Sequence, residues 1–268
     1  VNSRVVSVVS ARPDGATSVA VGLASLLASS SRTLFIDLNL DRPEVAALLD
    51  LDERRTIYHL AYGAQLAAVS RADLEANLVW HEGLAILVGP ARAEQRDALS
   101  EQFVRGLLEQ AASTFDHVIV DVGRARPGLP QAATSDEVLW VVVPRGLGMA
   151  ALERSWRELS DANVSWPNTV GVVLNRVDRH AFSGVDHFIK REYGLQIVAA
   201  MPQAPEFWRG VELGHSLRAL SVPLEDERSY VKRYGAEALE TRRALEQLAG
   251  ALSVGEAAAE AAHGAASG

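Results

Sequence analysis

The sequence predicts an α/β fold, and three observations carry the prediction. Val5–Ala28 passes from a run of β-branched residues (Val5, Val6, Val8, Val9) through a short loop into a helix whose Ala, Leu and Val positions recur at helical spacing. Short apolar runs of strand length then alternate with helical stretches without a break, which argues for one large domain in a chain of 268 residues. The apolar run before Asp121 places that carboxylate at the C-terminal edge of a parallel sheet, where such folds bind ligands.

Composition narrows the class. With 48% hydrophobic and 22% charged residues the chain reads as a soluble globular protein. Without cysteine it has neither disulfides nor thiolate metal sites, which fits a reducing cytoplasm. No stretch approaches ~18 consecutive apolar residues, and no basic-then-apolar leader is present, so neither a membrane-spanning nor a signal-secreted protein is expected. The net charge of −8 weighs against broad nucleic-acid binding, which needs a positive field to release counterions, but leaves room for a local basic patch. Opening on Val1, directly before the first strand, fits a non-Met start codon or the loss of an upstream domain.

The opening strand, loop and helix have the layout of a phosphate-binding P-loop. In G-x-x-x-x-G-K-[ST], backbone N–H groups cradle the phosphates, a Lys reaches the β/γ oxygens and a hydroxyl holds Mg²⁺. Here Gly15-Ala16-Thr17-Ser18 stands in that place, and Ala16 offers no charge. Pro13 removes one N–H. Asp14 is expected to bring negative charge toward the phosphates, a repulsion of roughly 4 kcal/mol at ~4 Å and an effective dielectric of ~20. Arg12 offsets part of this. Of 26 basic residues only Lys190 and Lys232 are lysines, so no shift of alignment supplies the missing one. A strand–turn–helix with no ligand remains the alternative.

The later elements follow in order. Thr33–Asp37 is a buried strand, and short helices are expected at Glu44–Leu51, Ile57–Tyr62 and Arg71–Asn77. Leu84–Val88 is a strand closed by Gly89-Pro90, and Glu94–Ser113 an amphipathic helix. Strands at Phe115–Gly123 and Glu137–Pro144, a helix at Ala150–Ala162, and strands at Thr169–Asn175 and Leu195–Ala200 complete the alternation. Phe207, Trp208 and Leu213 mark one face of a short helix. Glu225–Leu252 reads as the last helix, with five basic and six acidic residues. That balance favours docking on the body over lying on a membrane. The domain is thus drawn at 1–252, and the Ala/Gly-rich 253–268 as a disordered tail. His59, His81, His180, His187 and His215 share no metal-ligand spacing with carboxylates.

Ser10–Ser18 resembles the deviant P-loop of the MinD/ParA family, S-x-K-G-G-x-G-K-[ST]-[ST], one residue short. The family's first Lys falls at Arg12, its second at Ala16, and only Gly15, Thr17 and Ser18 survive. Asp37-Leu38-Asn39 is similar to the family's D-x-D, with Asp37 near Mg²⁺ and Asn39 in place of the water-orienting Asp. Phe115–Gly123 resembles its Walker B strand, with Asp121 on the Mg²⁺ side, and Gly123–Pro130, with Arg124 and Arg126, its second switch region. Asn175 and the Met201-Pro202 step resemble its adenine-contacting positions, although both residues also end strands for plain turn reasons.

The resemblance covers Val5 to about Leu224. It implies a doubly wound, mostly parallel sheet of about seven strands flanked by helices. ATP and Mg²⁺ are the ligands it implies, with Arg12, Gly15, Ala16, Thr17, Ser18, Asn175 and Pro202 around the nucleotide and Thr17, Asp37 and Asp121 around the metal. No catalytic residue is assigned. Within the family the chain resembles the CpaE/TadZ branch, which implies a homodimeric pseudo-ATPase or very weak ATPase. Such a protein would scaffold a Tad/Flp-type pilus or secretion machine at the cell pole. The alternative is an active ATP-dependent dimerising switch of septum-site or partition type, working with cell-division proteins. Either is cytoplasmic, recruited to the pole, septum or inner membrane surface through peripheral contact, with nucleic acid an unexpected partner.

Overall fold

The computed structural model describes residues 3–63, 69–125, 135–162, 169–177, 184–212, 217–222 and 224–266, with 253–266 as backbone alone. Its frame is one sheet of eight strands in the order β3-β4-β2-β5-β1-β6-β7-β8. These are β1 (Arg4–Ser10), β2 (Thr33–Asp37), β3 (Val79–His81), β4 (Leu84–Leu87), β5 (His117–Arg124), β6 (Glu137–Val142), β7 (Thr169–Val177) and β8 (Gln196–Pro202). All neighbours pair in parallel except β3 with β4. The extra strand relative to the seven expected is this edge, Val79-Trp80-His81. It is too short for an alternating pattern to register, and it turns back on β4 through Glu82 and Gly83, both with positive φ.

The alternation of β1 explains the two layers. Val6 and Val8 enter one apolar cluster and Val5 and Val9 the other, as a strand's period of two requires. The first cluster lies against α1 (Ala16–Leu27), α8 (Pro205–Glu212), α9 (Leu217–Ser221), α10 (Glu227–Tyr234) and α11 (Ala236–Ala266). The second lies against α3 (Ile57–Gly63), α4 (Arg71–Ala76), α5 (Glu101–Thr114), α6 (Gly146–Asp161) and α7 (Val185–Tyr193). A doubly wound α/β sandwich is therefore what the chain forms, and no helix among the described residues is long and apolar enough to cross a membrane. Strand order reverses around β1, which opens a crevice beyond its C-terminal end.

Several helix boundaries differ from the periodicity reading. The helix expected at Glu44–Leu51 is the single turn α2 (Val45–Leu48). The stretch from Glu94 divides into a 3₁₀ turn, Ala93–Ala98, and α5, because Ser100 caps the latter by accepting from the Phe103 N–H. The last helix divides at Gly235, φ +91°, into α10 and α11. The backbone of α11 is helical to Ala266, in keeping with alanine's high intrinsic helix propensity. Leu213 lies outside the described residues, and Phe207 packs in the first cluster as expected.

Arg242 fastens the C-terminal helices. Its buried guanidinium donates to the carbonyls of Ala219, at 3.1 Å, and Val222, at 2.5 Å, and pairs with Glu246 at 2.7 Å. Tyr230 donates to the same Ala219 carbonyl at 2.7 Å. Removing Arg242 leaves the Val222 carbonyl without its donor and the Ala219 carbonyl with Tyr230 alone. Arg242→Leu should lower the unfolding free energy by about 2–3 kcal/mol in chemical denaturation, with Arg242→Lys recovering little because an ammonium cannot reach all three acceptors. An unchanged midpoint would show that these bonds hold nothing together.

Candidate nucleotide site

The C-terminal ends of β1, β2, β5 and β7 converge on a cleft of about 670 Å³. One wall is the Ser10–Ser18 loop and the first turn of α1. Gly15 is the residue before that helix, at φ +90°, and the first intrahelical bond runs from the Val19 N–H to its carbonyl. The preceding N–H groups of the turn therefore have no helical acceptor. Arg12, Gly15, Ala16, Thr17 and Ser18 all line the cleft.

The carboxylates sit below the loop. Asp37 and Asp121 face each other in register on neighbouring parallel strands and are fully buried. Asp121 accepts from the Thr17 hydroxyl at 2.5 Å and the Gly123 N–H at 3.0 Å. Burial pushes its carboxyl up to about 6, against those two hydrogen bonds. Asp37 Oδ1 accepts from the Asn39 N–H at 3.0 Å, the Val45 N–H at the start of α2 also favours the carboxylate, and Oδ2 has no partner at hydrogen-bond distance. Burial first, and the Asp121 charge second, hold the Asp37 carboxyl well above the usual carboxylate range. Thr17, Asp37 and Asp121 thus come together as their motif positions imply.

An orphaned buried carboxylate oxygen beside a hydroxyl and a second carboxylate is an oxygen donor set that suits a hard cation. These residues fit Mg²⁺, which Thr17 and Asp121 would hold with Asp37 behind them. A bound Mg²⁺ supplies charge neutralisation for a phosphate chain. The free N–H groups of α1 fit the phosphates, and position 16 supplies no ammonium.

One expectation needs correction. Asp14 does not face the cleft. It is buried, its Oδ2 accepting from the Val143 N–H at 3.3 Å and its Oδ1 3.4 Å from Arg12 Nε, so it ties the loop to the end of β6 rather than repelling phosphates. Burial raises its pKa, against the Val143 N–H and the charges of Arg12 and Arg176. Asn175 is also turned inward. Its Nδ2 donates to the Asp14 carbonyl at 2.7 Å, and a Cβ on Gly15 would lie only 2.4 Å from it. Its Oδ1 accepts from the Arg176 N–H at 2.9 Å. Pro202 ends β8 opposite Val177 and does not line the cleft.

The charge around the cleft is richer than the loop alone indicates. Arg42, Arg124, Arg154 and Arg176 join Arg12, against Asp41 and Glu44. Arg42 pairs with Glu44 at 3.2 Å, whereas Arg124, Arg154 and Arg176 have no ion pair among the described residues. Arg154 and Ala151 share a face of α6, one turn apart, and no local motif marks either. Arg126, His180 and His215 lie outside the described residues, and no group of metal-ligating side chains occurs around the described histidines. Asn39 lines the cleft, its amide packed where a Cβ on Gly123 would fall.

This combination of a parallel sheet, a helix-capping glycine loop and strand-end carboxylates defines a P-loop-type nucleotide-binding α/β protein. The chain belongs to the CobQ/CobB/MinD/ParA nucleotide-binding domain family, whose model matches residues 15–217. Its fold is similar to that of the septum site-determining protein MinD of Pyrococcus horikoshii, solved with Mg-ADP (17% identity, 96% of this chain and 97% of that one, TM-score 0.71). It is also similar to a ParA family ATPase of Chlorobium tepidum (22% identity, 88% and 98%, TM-score 0.70). In sequence it is 29% identical over 212 residues to the succinoglycan biosynthesis transport protein ExoP of Rhizobium meliloti. That alignment takes in 73% of this chain but spans only about a quarter, 26%, of the relative.

The raised carboxyls fix the sign of the pH dependence. Across the interval from about 4 to about 6, the folded state holds an Asp121 proton that the unfolded chain releases, so ligand-free stability falls as pH rises. Asp37 continues the trend upward. Asp37→Asn should therefore stabilise the ligand-free protein at pH 7.5, by about 1–3 kcal/mol, and flatten its stability–pH profile. Denaturant titrations at pH 5.5 and 7.5 test this. Destabilisation of the variant at pH 7.5 would mean that Asp37 is favourably paired.

Proposed function

We propose that this chain is a homodimerising, nucleotide-dependent positioning switch of the septum-site and partition class, one that binds Mg-nucleotide in the cleft and hydrolyses it slowly. The observation that carries the reading is the buried carboxylate pair, with the 2.5 Å bond from Thr17 to Asp121 beside the unpartnered Asp37 oxygen, set in a cleft with five arginines. A site that had lost its ligand altogether would have no reason to keep two carboxylates buried together. Slow turnover follows from Ala16 and Asn39. Loss of a single preorganised electrostatic group costs about 10²–10³ in rate, and here a lysine and a carboxylate are both absent.

The septum-site and partition reading is preferred to placement of a pilus or secretion machine at the pole, because none of the relatives described above is a pilus protein. In this reading the protein acts in the cytoplasm and is recruited to septum, pole or inner membrane surface through a cell-division-type partner. The ExoP likeness supports a second reading, in which the chain serves as the nucleotide-binding module of an envelope polysaccharide transport machine. Its 29% identity exceeds the 17% and 22% of the two structures.

Light scattering with and without Mg-ATP tests the first reading. Nucleotide should double the mass, Asp121→Ala should abolish the doubling, and phosphate release should stay near background. A monomer under all conditions would remove the switch, and brisk hydrolysis that Asp121→Ala eliminates would overturn the slow-turnover claim.

A further inference from the structure

Neighbouring residues of a strand point to opposite faces, so Asn175 and Arg176 would part company in a regular β7. Instead both reach the same loop. Register between β7 and β8 shifts between Leu174 and Val177, and Arg176 takes φ +54°. A bulge of this kind re-aims a side chain, and left-handed backbone at an arginine carries strain that glycine would avoid. The result is that Arg176 Nη2 comes to 4.0 Å from the point a Cβ on Gly15 would occupy, while Asn175 holds the Asp14 carbonyl. Arg176 is exposed, its backbone N–H donates to Asn175 Oδ1 at 2.9 Å, and its guanidinium lines the cleft with Thr17 and Ser18, where it has no ion pair among the described residues although its charge reaches the buried Asp14. Strain retained in order to hold an exposed guanidinium over the first turn of α1 points to function.

We propose that Arg176 is a phosphate-binding residue. Its guanidinium contacts the phosphate chain of a nucleoside di- or triphosphate lying along Gly15–Ser18, supplying from β7 the positive charge that Ala16 lacks. The proposal rests on the nucleotide reading above and deepens it by assigning the phosphate contact to a strand end outside the P-loop motif. The planar guanidinium suits bidentate contact with phosphate oxygens, a role lysine does not reproduce.

Calorimetric titration of the full chain with Mg-ATP and with Mg-tripolyphosphate tests the assignment, alongside melting of the ligand-free protein. Arg176→Gly should weaken both ligands roughly 10- to 100-fold, the range of a charge-assisted hydrogen bond, while leaving the ligand-free melting temperature unchanged or raised. Arg176→Lys should recover only part of the affinity, and Arg209→Ala, an equal change of charge on a remote helix, none of the loss. Undiminished Mg-ATP binding by Arg176→Gly would overturn the proposal and leave the nucleotide reading standing. So would weakened binding accompanied by a lower melting temperature, which marks a structural role. Wild-type protein that takes tripolyphosphate through Arg176 but no nucleotide would keep the phosphate contact and end the nucleotide reading. Protein that binds neither ends both.

Discussion

Asp37 and Asp121 stand side by side on adjoining strands, out of water and within reach of each other's charge. Two carboxylates so placed cannot both ionise freely, and the surrounding structure answers that constraint in parts. Thr17 brings the first turn of α1 down onto Asp121, the Gly123 N–H closes on its other oxygen, and the Leu38 N–H bonds the Asp121 carbonyl at 2.8 Å. The loop, the helix and both strand ends are therefore indexed to one another through a single aspartate. What is left over is an uncompensated oxygen on Asp37. The ligand-free protein stores that cost, and a cation or a proton relieves it.

The loop above this pair has been rebuilt. In a P-loop that uses lysine, charge comes from within the loop itself. Here Pro13 and Asp14 replace part of the cradle, and the Asp14 carboxylate turns inward to the Val143 N–H and the Arg12 guanidinium, anchoring the shortened loop. Asn175 completes the anchoring from β7. Positive charge has moved outward to arginines on four different elements, each too long and too exposed to be fixed by the loop's own geometry.

The fold was legible because parallel strands buried on both faces leave continuous apolar runs, and Thr33–Asp37 could be bounded to the residue. β3 escaped notice since three residues at a sheet edge carry no period. Helix ends were misjudged where a local cap, Ser100 or Gly235, overrode a continuous hydrophobic pattern. At the site, Thr17, Asp37 and Asp121 were readable because each is fixed by backbone position at the end of an element. The side chains of Asp14 and Asn175 carry no such signal. Their direction depends on a three-way contact among β1, β6 and β7 that no stretch of sequence contains. Arg154 and Arg176 enter the cleft through a helix face and a bulge, neither of which leaves a motif.

The contact between Asn175 and Gly15 has a consequence for how such a chain can diverge. With the amide only 2.4 Å from where any side chain at position 15 would begin, the two sites, 160 residues apart in the sequence (175 − 15), form a steric interlock. Any side chain at position 15 would have to push the Asn175 amide off the Asp14 carbonyl. The packing thus couples the two positions, independent of whatever ligand the cleft takes.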